Sequence, residues 1–178
     1  MDFLGLEKNE VRLVPFTNDY SKEFKKIKQM IVDSLNISGE RIEHIGSTAI
    51  INIQAKPILD ILLGVDDVEE IPKEIIQKLK EIGFYQLNVE RTGEIVFAKF
   101  TDKTFTKRTH YIHLVKFKGE LWNDLIFFRD YLNSNELAKR EYENLKEAII
   151  SNNADITMGE YTNRKEDFVK RIINLRRT

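Results

Sequence analysis

The chain has 178 residues and not one cysteine. That excludes disulfides, thiolate metal sites and a cysteine nucleophile together. No apolar run is long enough to span a bilayer. The first residues, with Asp2, Glu7 and Glu10, lack the basic-then-apolar order of a secretory signal, so a cytoplasmic protein is expected. An excess of charge is missing too. The 28 basic and 29 acidic residues leave a net charge of −1, a balance that calls for neither nucleic acid nor an anionic membrane. Aromatic residues fall mainly at core spacing rather than along a basic stripe, so there is no clear nucleic-acid signal. Also absent are the Gly-x-x-x-x-Gly-Lys-Ser/Thr phosphate loop, a Gly-x-Gly-x-x-Gly run after a strand and a Gly-x-Ser-x-Gly elbow. What remains, 42% hydrophobic and 32% charged residues, is the composition of a globular domain with one sizeable core.

Strand and helix patterns alternate up to about residue 118, and helix alone follows. Residues 11–15 read as a short edge strand, where Pro15 is tolerated. Phe24, Ile27, Ile31 and Leu35 recur at helical spacing, which predicts a helix over 18–35. Residues 41–45 and 57–65 read as strands. Pro72 opens a helix carrying Ile75, Ile76, Leu79 and Ile82, which Gly83 ends. Strands are predicted over 84–89, 94–100 and 110–117. Past Gly119, a helix over 121–132 is followed by Asn133-Ser134-Asn135-Glu136, a start signal resembling a capping box. A last helix covers about 162–175. The expected fold class is α+β: a single domain over 1–178, with a mixed sheet in about 10–118, flanking helices, and a helical C-terminal part in about 119–178.

Residues able to do chemistry concentrate in Glu43-His44-Ile45-Gly46-Ser47-Thr48 and in Lys56-Pro57-Ile58-Leu59-Asp60-Ile61-Leu62. A Gly-Ser turn between a short apolar strand and a helix start offers an anion the N–H groups of Ser47 and Thr48 and the Ser47 hydroxyl. Helix capping is the competing role. Asp60 is the single carboxylate of the apolar run 58–65. Ionised and buried, it needs a lysine, a ring of donors or a metal ion. Alternation places Ile58, Asp60, Leu62 and Gly64 on one face of that strand. Lys56 either neutralises phosphate as a flexible point charge or pairs with Asp60 or Glu43.

The three histidines all fall near these motifs or on one later strand. His44 adjoins the turn. His110 and His113, three residues apart on a strand, point to opposite faces and cannot share one ion without a bulge. His113 shares a face with Tyr111, Val115 and Phe117. It is either a hydrogen-bonded core histidine or a cleft residue acting as acid/base or metal ligand. Glu94, with Glu90 second, is the candidate to complete a metal site from a neighbouring strand, against plain solvated charge on a hairpin. Lys99, Lys103, Lys107 and Arg108 read as a basic segment between strands that screens phosphates or is simply solvated. Arg129 and Asp130 suggest an internal salt bridge tying helix to sheet. Tyr161, Thr162 and Lys165 either close over the cleft or cap a helix.

Several of these segments, in order, resemble the GrpB-like family. They are His44-Ile45-Gly46-Ser47-Thr48-Ala49 with Ala55-Lys56-Pro57-Ile58-Leu59-Asp60-Ile61, then Arg108-Thr109-His110-Tyr111-Ile112-His113-Leu114-Val115, Phe128-Arg129-Asp130-Tyr131-Leu132, and Tyr161-Thr162 with Lys165 and Phe168. Together they span about 10–175. The resemblance implies a sheet of the nucleotidyltransferase type. It also implies a site in which Asp60 holds Mg²⁺, Ser47 and Lys56 hold phosphates, and the metal or His113 assists the acceptor. Active members of that superfamily carry two acids at i and i+2 on one strand; here the second position is Leu62. One carboxylate with phosphate oxygens and waters still suits Mg²⁺, more weakly. Two functions are therefore expected: a metal-dependent nucleotidyltransferase using a nucleoside triphosphate and an unassigned acceptor, or a non-catalytic nucleotide- or anion-binding accessory domain on the same fold. In either case the expected partner is a nucleotide or another phosphorylated small molecule.

Overall fold

The computed structural model describes residues 3–7, 10–89, 91–101, 103–153 and 155–177; Glu90 lies outside the described residues. The helix predicted over 18–35 forms as α1 (Asp19–Leu35), because Tyr20, Glu23, Ile27, Ile31 and Leu35 bury one stripe. It ends where Asn36 turns left-handed, at φ 53°. A short 3₁₀ turn, capped by the Ser38 hydroxyl, leads into the sheet. The strands are β1 (Leu6–Glu7), β2 (Ile42–Ile45), β3 (Leu59–Val65), β4 (Phe84–Gln86), β5 (Glu94–Phe100) and β6 (Lys107–Lys116). They form one sheet in the order β2-β3-β6-β5-β4, with β1 also pairing β6. β3 and β6 run parallel and the remaining pairs antiparallel, so the sheet is mixed. Burial on both sides makes β3 a near-continuous apolar run, as parallel central strands require.

The two faces are covered differently. On one, α1 and α2 (Lys73–Glu81) close over Leu59, Ile61, Leu63, Phe84, Phe97, Ile112 and Leu114. On the other, α3 (Glu120–Ser134) brings Trp122, Leu121 and Leu125 against Ile45, Leu62 and Val115. Gly64 makes room for that second layer: a Cβ there would stand 2.7 Å from the Phe117 ring and 2.9 Å from the Trp122 indole. Beyond α3, the helices α4 (Glu136–Ser151), α5 (Met158–Asn163) and α6 (Glu166–Asn174) build a helical core around Phe128, Leu132, Tyr142, Phe168 and Ile172. Ile50 and Ile53 dock into this core from the loop between β2 and β3. The helical third therefore reaches the Gly-Ser turn directly.

Several boundaries differ from the sequence reading. Residues 11–15 contribute only an isolated bridge, Val14 to Ala55, because Pro15 offers no N–H to continue a ladder. The final helix divides into α5 and α6, the break falling at Arg164 and Lys165. No capping box stands at 133–136: Asn135 alone caps α4, accepting from the Ala138 N–H. The reciprocal box is formed by Thr157 and Glu160 at the start of α5. Lys107 and Arg108 belong to β6 rather than to a loop, and Lys99 to β5. Lys99 donates to Ile82 O at 2.9 Å on the α1/α2 side.

Candidate functional site

Side-chain alternation and register assemble the site before any loop is considered. Leu62 stands opposite His113 in the β3–β6 ladder, and Val96 opposite His113 in the β5–β6 ladder. Asp60, His113 and Glu94 therefore share one face of three adjacent strands, as diagonal neighbours within reach of long side chains. His113 Nε2 lies 3.2 Å from Asp60 Oδ1, and its Nδ1 bonds Glu94 Oε1. The second Glu94 oxygen takes Arg91 Nη1 at 3.1 Å. The imidazole is thus clasped between two carboxylates. Burial alone pushes His113 down, but the hydrogen bonds and charges of Asp60 and Glu94 outweigh it and raise the ring to about 9. Burial likewise pushes both carboxyls up. His113, joined by Lys56 and Lys165 at Asp60 and by Arg91 at Glu94, overcomes that and holds both below the usual range.

Gly46 brings the turn onto this carboxylate. Its φ of +71° favours glycine, and a Cβ there would stand 2.3 Å from Asp60 Oδ2. The turn that follows, Ser47–Ala49, is a 3₁₀ helix rather than an α-helix start. Ala49 N–H and Ile50 N–H bond back to Gly46 O and Ser47 O. The N–H groups of Ser47 and Thr48 head the turn, where the first donors have no intrahelical acceptor. Ser47 does not cap it; its hydroxyl lies 3.3 Å from Tyr142 OH of α4. The Thr48 hydroxyl points the other way and bonds His44 Nε2 at 3.0 Å. His44 stacks on Phe24 at 5.0 Å, beneath the sheet, and burial pushes it down to about 4.

Opposite the turn, three lysines converge from three segments. Lys56 and Lys165 stand over the ring of the buried Tyr161, with Nζ 4.9 and 4.3 Å from its centroid. Lys56 also reaches Met158 Sδ. Lys146, fully buried, lies 4.9 Å over the Tyr142 ring and donates to Gln54 O. None of the three ammonium groups forms an ion pair with a carboxylate among the described residues. Burial pushes Lys56 down to about 7, and the charge of Lys165 adds to this while Asp60 opposes it. Lys146 falls to about 7 through burial and then Lys165, opposed by the charges of Glu143 and Glu147, and Lys165 to about 8 through burial, opposed by Asp60.

Each expected site residue thus has a place. Gly46 lies against Asp60, on which the charge of Lys56 acts, while the Ser47 hydroxyl meets Tyr142 and the Thr48 hydroxyl meets His44. His113 joins Asp60 to Glu94, whose side chain is 8% exposed rather than solvated. His110 faces the α1/α2 side, as alternation requires. Arg129 ties α3 to β2 through Glu43 Oε2 at 2.7 Å and His44 O at 2.8 Å. Glu43 is therefore engaged by Arg129, not by Lys56. Lys165 lies over the buried Tyr161 ring and its charge acts on Asp60, whereas the Thr162 hydroxyl bonds Met158 O within α5. Arg91, Tyr142 and Lys146 were not singled out as site residues. A readable signal existed for Lys146: with Ala138, Tyr142 and Ile149 it occupies the buried stripe of α4, where a lysine is out of place without a polar task.

A divalent ion held jointly by Asp60 and Glu94 does not fit these donors. The two carboxylates sit on opposite nitrogens of one imidazole, and both Glu94 oxygens are taken. The i+2 position, Leu62, is fully buried in the core. No group of three His, Asp or Glu side chains suited to a metal ion occurs among the described residues.

The architecture is an α+β protein whose mixed sheet bears a carboxylate–imidazole–carboxylate clasp, with three lysines gathered near it from outside the sheet. The GrpB protein family matches residues 10–175, and the chain belongs to that family. It is 41% identical over 172 residues to the glutamate-rich protein GrpB of Alkalihalophilus pseudofirmus, covering 96% of this chain and 98% of that one. The crystal structure of conserved protein GrpB from Enterococcus faecalis superposes with a TM-score of 0.76 at 26% identity, over 92% of this chain and 95% of that one. A looser likeness, with a TM-score of 0.49 at 13% identity, covers 72% of this chain and 41% of the Cid1 poly(U) polymerase. Among the described residues, no helix is long and apolar enough to cross a membrane.

Proposed function

We propose that the chain binds a phosphorylated small molecule, a nucleotide being the class expected of the fold, in the cleft between the Gly46-Ser47 turn and α4–α6. One observation carries this reading: Lys56, Lys146 and Lys165 converge from three segments with no carboxylate ion pair among the described residues. Clustered, desolvated ammonium groups repel one another and are costly to hold without a counter-charge. A bound phosphate supplies that charge. Lys56 and Lys165 then act as point-charge donors, and the Ser47 and Thr48 N–H groups act as a small nest at the head of a turn. The Ser47 hydroxyl, kept in place by Tyr142, completes the donor set.

Binding is tested by calorimetry and thermal unfolding with inorganic phosphate, pyrophosphate and ATP. A ligand at about 100 times its dissociation constant stabilises a protein by about 2.7 kcal/mol, and the double variant K56Q/K165Q should abolish that gain. Absence of heat and of any thermal shift with all three anions would sink the reading. A transferase reading draws on a separate feature. Asp60, held ionised, abuts the cradle with Oδ2 outside its bond to His113, so it is placed to take a proton from an acceptor hydroxyl. Release of pyrophosphate from a nucleoside triphosphate with any of a panel of acceptors, lost in Asp60→Asn, would establish it.

A further inference from the structure

We propose that this cleft takes its phosphorylated ligand as the free anion, with the His113 imidazolium serving as the built-in cation between Asp60 and Glu94 and no divalent ion required. This deepens the phosphate-binding reading and rests on it. The first argument is the number of donors. Ionised carboxylates only accept hydrogen bonds, so a ring bonded to one through each nitrogen carries both N–H groups and a full positive charge. That charge lies where two acids would otherwise face each other across the sheet.

The second argument is competition for oxygens. Asp60 Oδ1 is bonded to His113, Asp60 Oδ2 lies against Gly46, and the charges of Lys56 and Lys165 act on the carboxylate. Glu94 is shared between His113 and Arg91. A divalent ion seeking several oxygens at close to octahedral geometry would first have to dismantle this clasp. The third argument is charge. Lys56, Lys146 and Lys165 already supply the positive field that a magnesium ion usually brings to a phosphate, and a further dication would be repelled by them. The site thus offers the anion side-chain cations in place of a bound metal.

The experiment is a pyrophosphate titration of the intact protein in EDTA and again with excess Mg²⁺, alongside Mg²⁺ alone. Affinity in EDTA should equal or exceed that with Mg²⁺, because the metal withdraws free pyrophosphate into its own complex. Mg²⁺ alone should leave the unfolding temperature unchanged. A rise in affinity of about tenfold or more with Mg²⁺, equivalent to about 1.4 kcal/mol, would overturn the inference and leave the binding site standing. No binding in either arm would remove both. The variant His113→Asn withdraws the imidazolium, and Mg²⁺ alone should then stabilise the protein. If that variant does not fold, the two wild-type titrations decide the question by themselves.

Discussion

His110 and His113 lie three residues apart on one strand, yet the two faces of the sheet treat them in opposite ways. His110, under α1 and α2, is pushed down to about 3 by burial, with the charges of Lys99 and Lys26 adding to it and Asp60 opposing. Its Nδ1 bonds the Thr109 hydroxyl at 2.8 Å. Glu23 stands 3.5 Å from its Nε2, too far for a good hydrogen bond, and that nitrogen has no hydrogen-bond partner among the described residues. His113 is also buried, but two carboxylates bond its ring and hold it at about 9. Desolvation is common to both sites; a hydrogen-bonded carboxylate on each ring nitrogen is not. One face leaves its histidine neutral and the other surrounds its histidine with counter-charge.

The widest gap between the faces should appear on replacing each histidine by leucine. His113→Leu strands Asp60 and Glu94 without their cation, and removing one partner of a buried ion pair costs about 3 to 5 kcal/mol. His110→Leu deletes an uncharged ring with an unsatisfied nitrogen and should change stability by less than about 1.5 kcal/mol. Equal losses in denaturant unfolding would erase the contrast. Gly64→Ala tests the packing of the charged face alone. It forces a methyl group into Phe117 and Trp122 and should cost about 1 to 3 kcal/mol, while ring titrations of His44 and His110 stay unchanged.

Gly46→Ala aims at the clasp itself. The added Cβ must displace the Asp60 carboxylate, and the backbone strain alone costs about 1 to 3 kcal/mol. His113, followed by proton NMR, should then titrate below 9, whereas His44 and His110 should show no midpoint above pH 5. A titration near 9 retained in this variant would mean that Gly46 does not position Asp60. The smallest expected effect is on pH dependence. Phosphate favours the ammonium form of Lys56, Lys146 and Lys165, which lie near 7 to 8 in the free protein. Binding should be strongest below pH 7 and weaken as pH rises through 7 and 8, by about tenfold for each 1.4 kcal/mol of attraction lost. Affinity that stays flat from pH 6 to 9 would remove these lysines from the site.

Most of the sheet was legible in the sequence, because its signals are local. Glu94–Phe100 forms as read, and the apolar run ending at Val65 becomes the central strand. Asp60, His113 and Glu94 could be placed on faces by alternation alone. Their meeting could not, since it depends on which strands are neighbours and in what register. The lysine cluster was harder still: Lys56, Lys146 and Lys165 come from a loop, a helix and a helix junction, and only tertiary packing brings them together. Thr48 shows the same limit in miniature. Its type suits an anion site, but its hydroxyl is committed to His44 on the far side of the sheet.

Trp122 is the single tryptophan of the chain, and it lies wholly within the packing of the charged face, 4% exposed and edge-on to Phe117 at 5.0 Å. The molecule thus carries one indole fluorophore, seated on one side only. Its emission reports loosening beneath α3 and is blind to events under α1 and α2. Comparing the fluorescence unfolding curve with far-ultraviolet circular dichroism would therefore reveal whether the two faces of this sheet melt together or in turn.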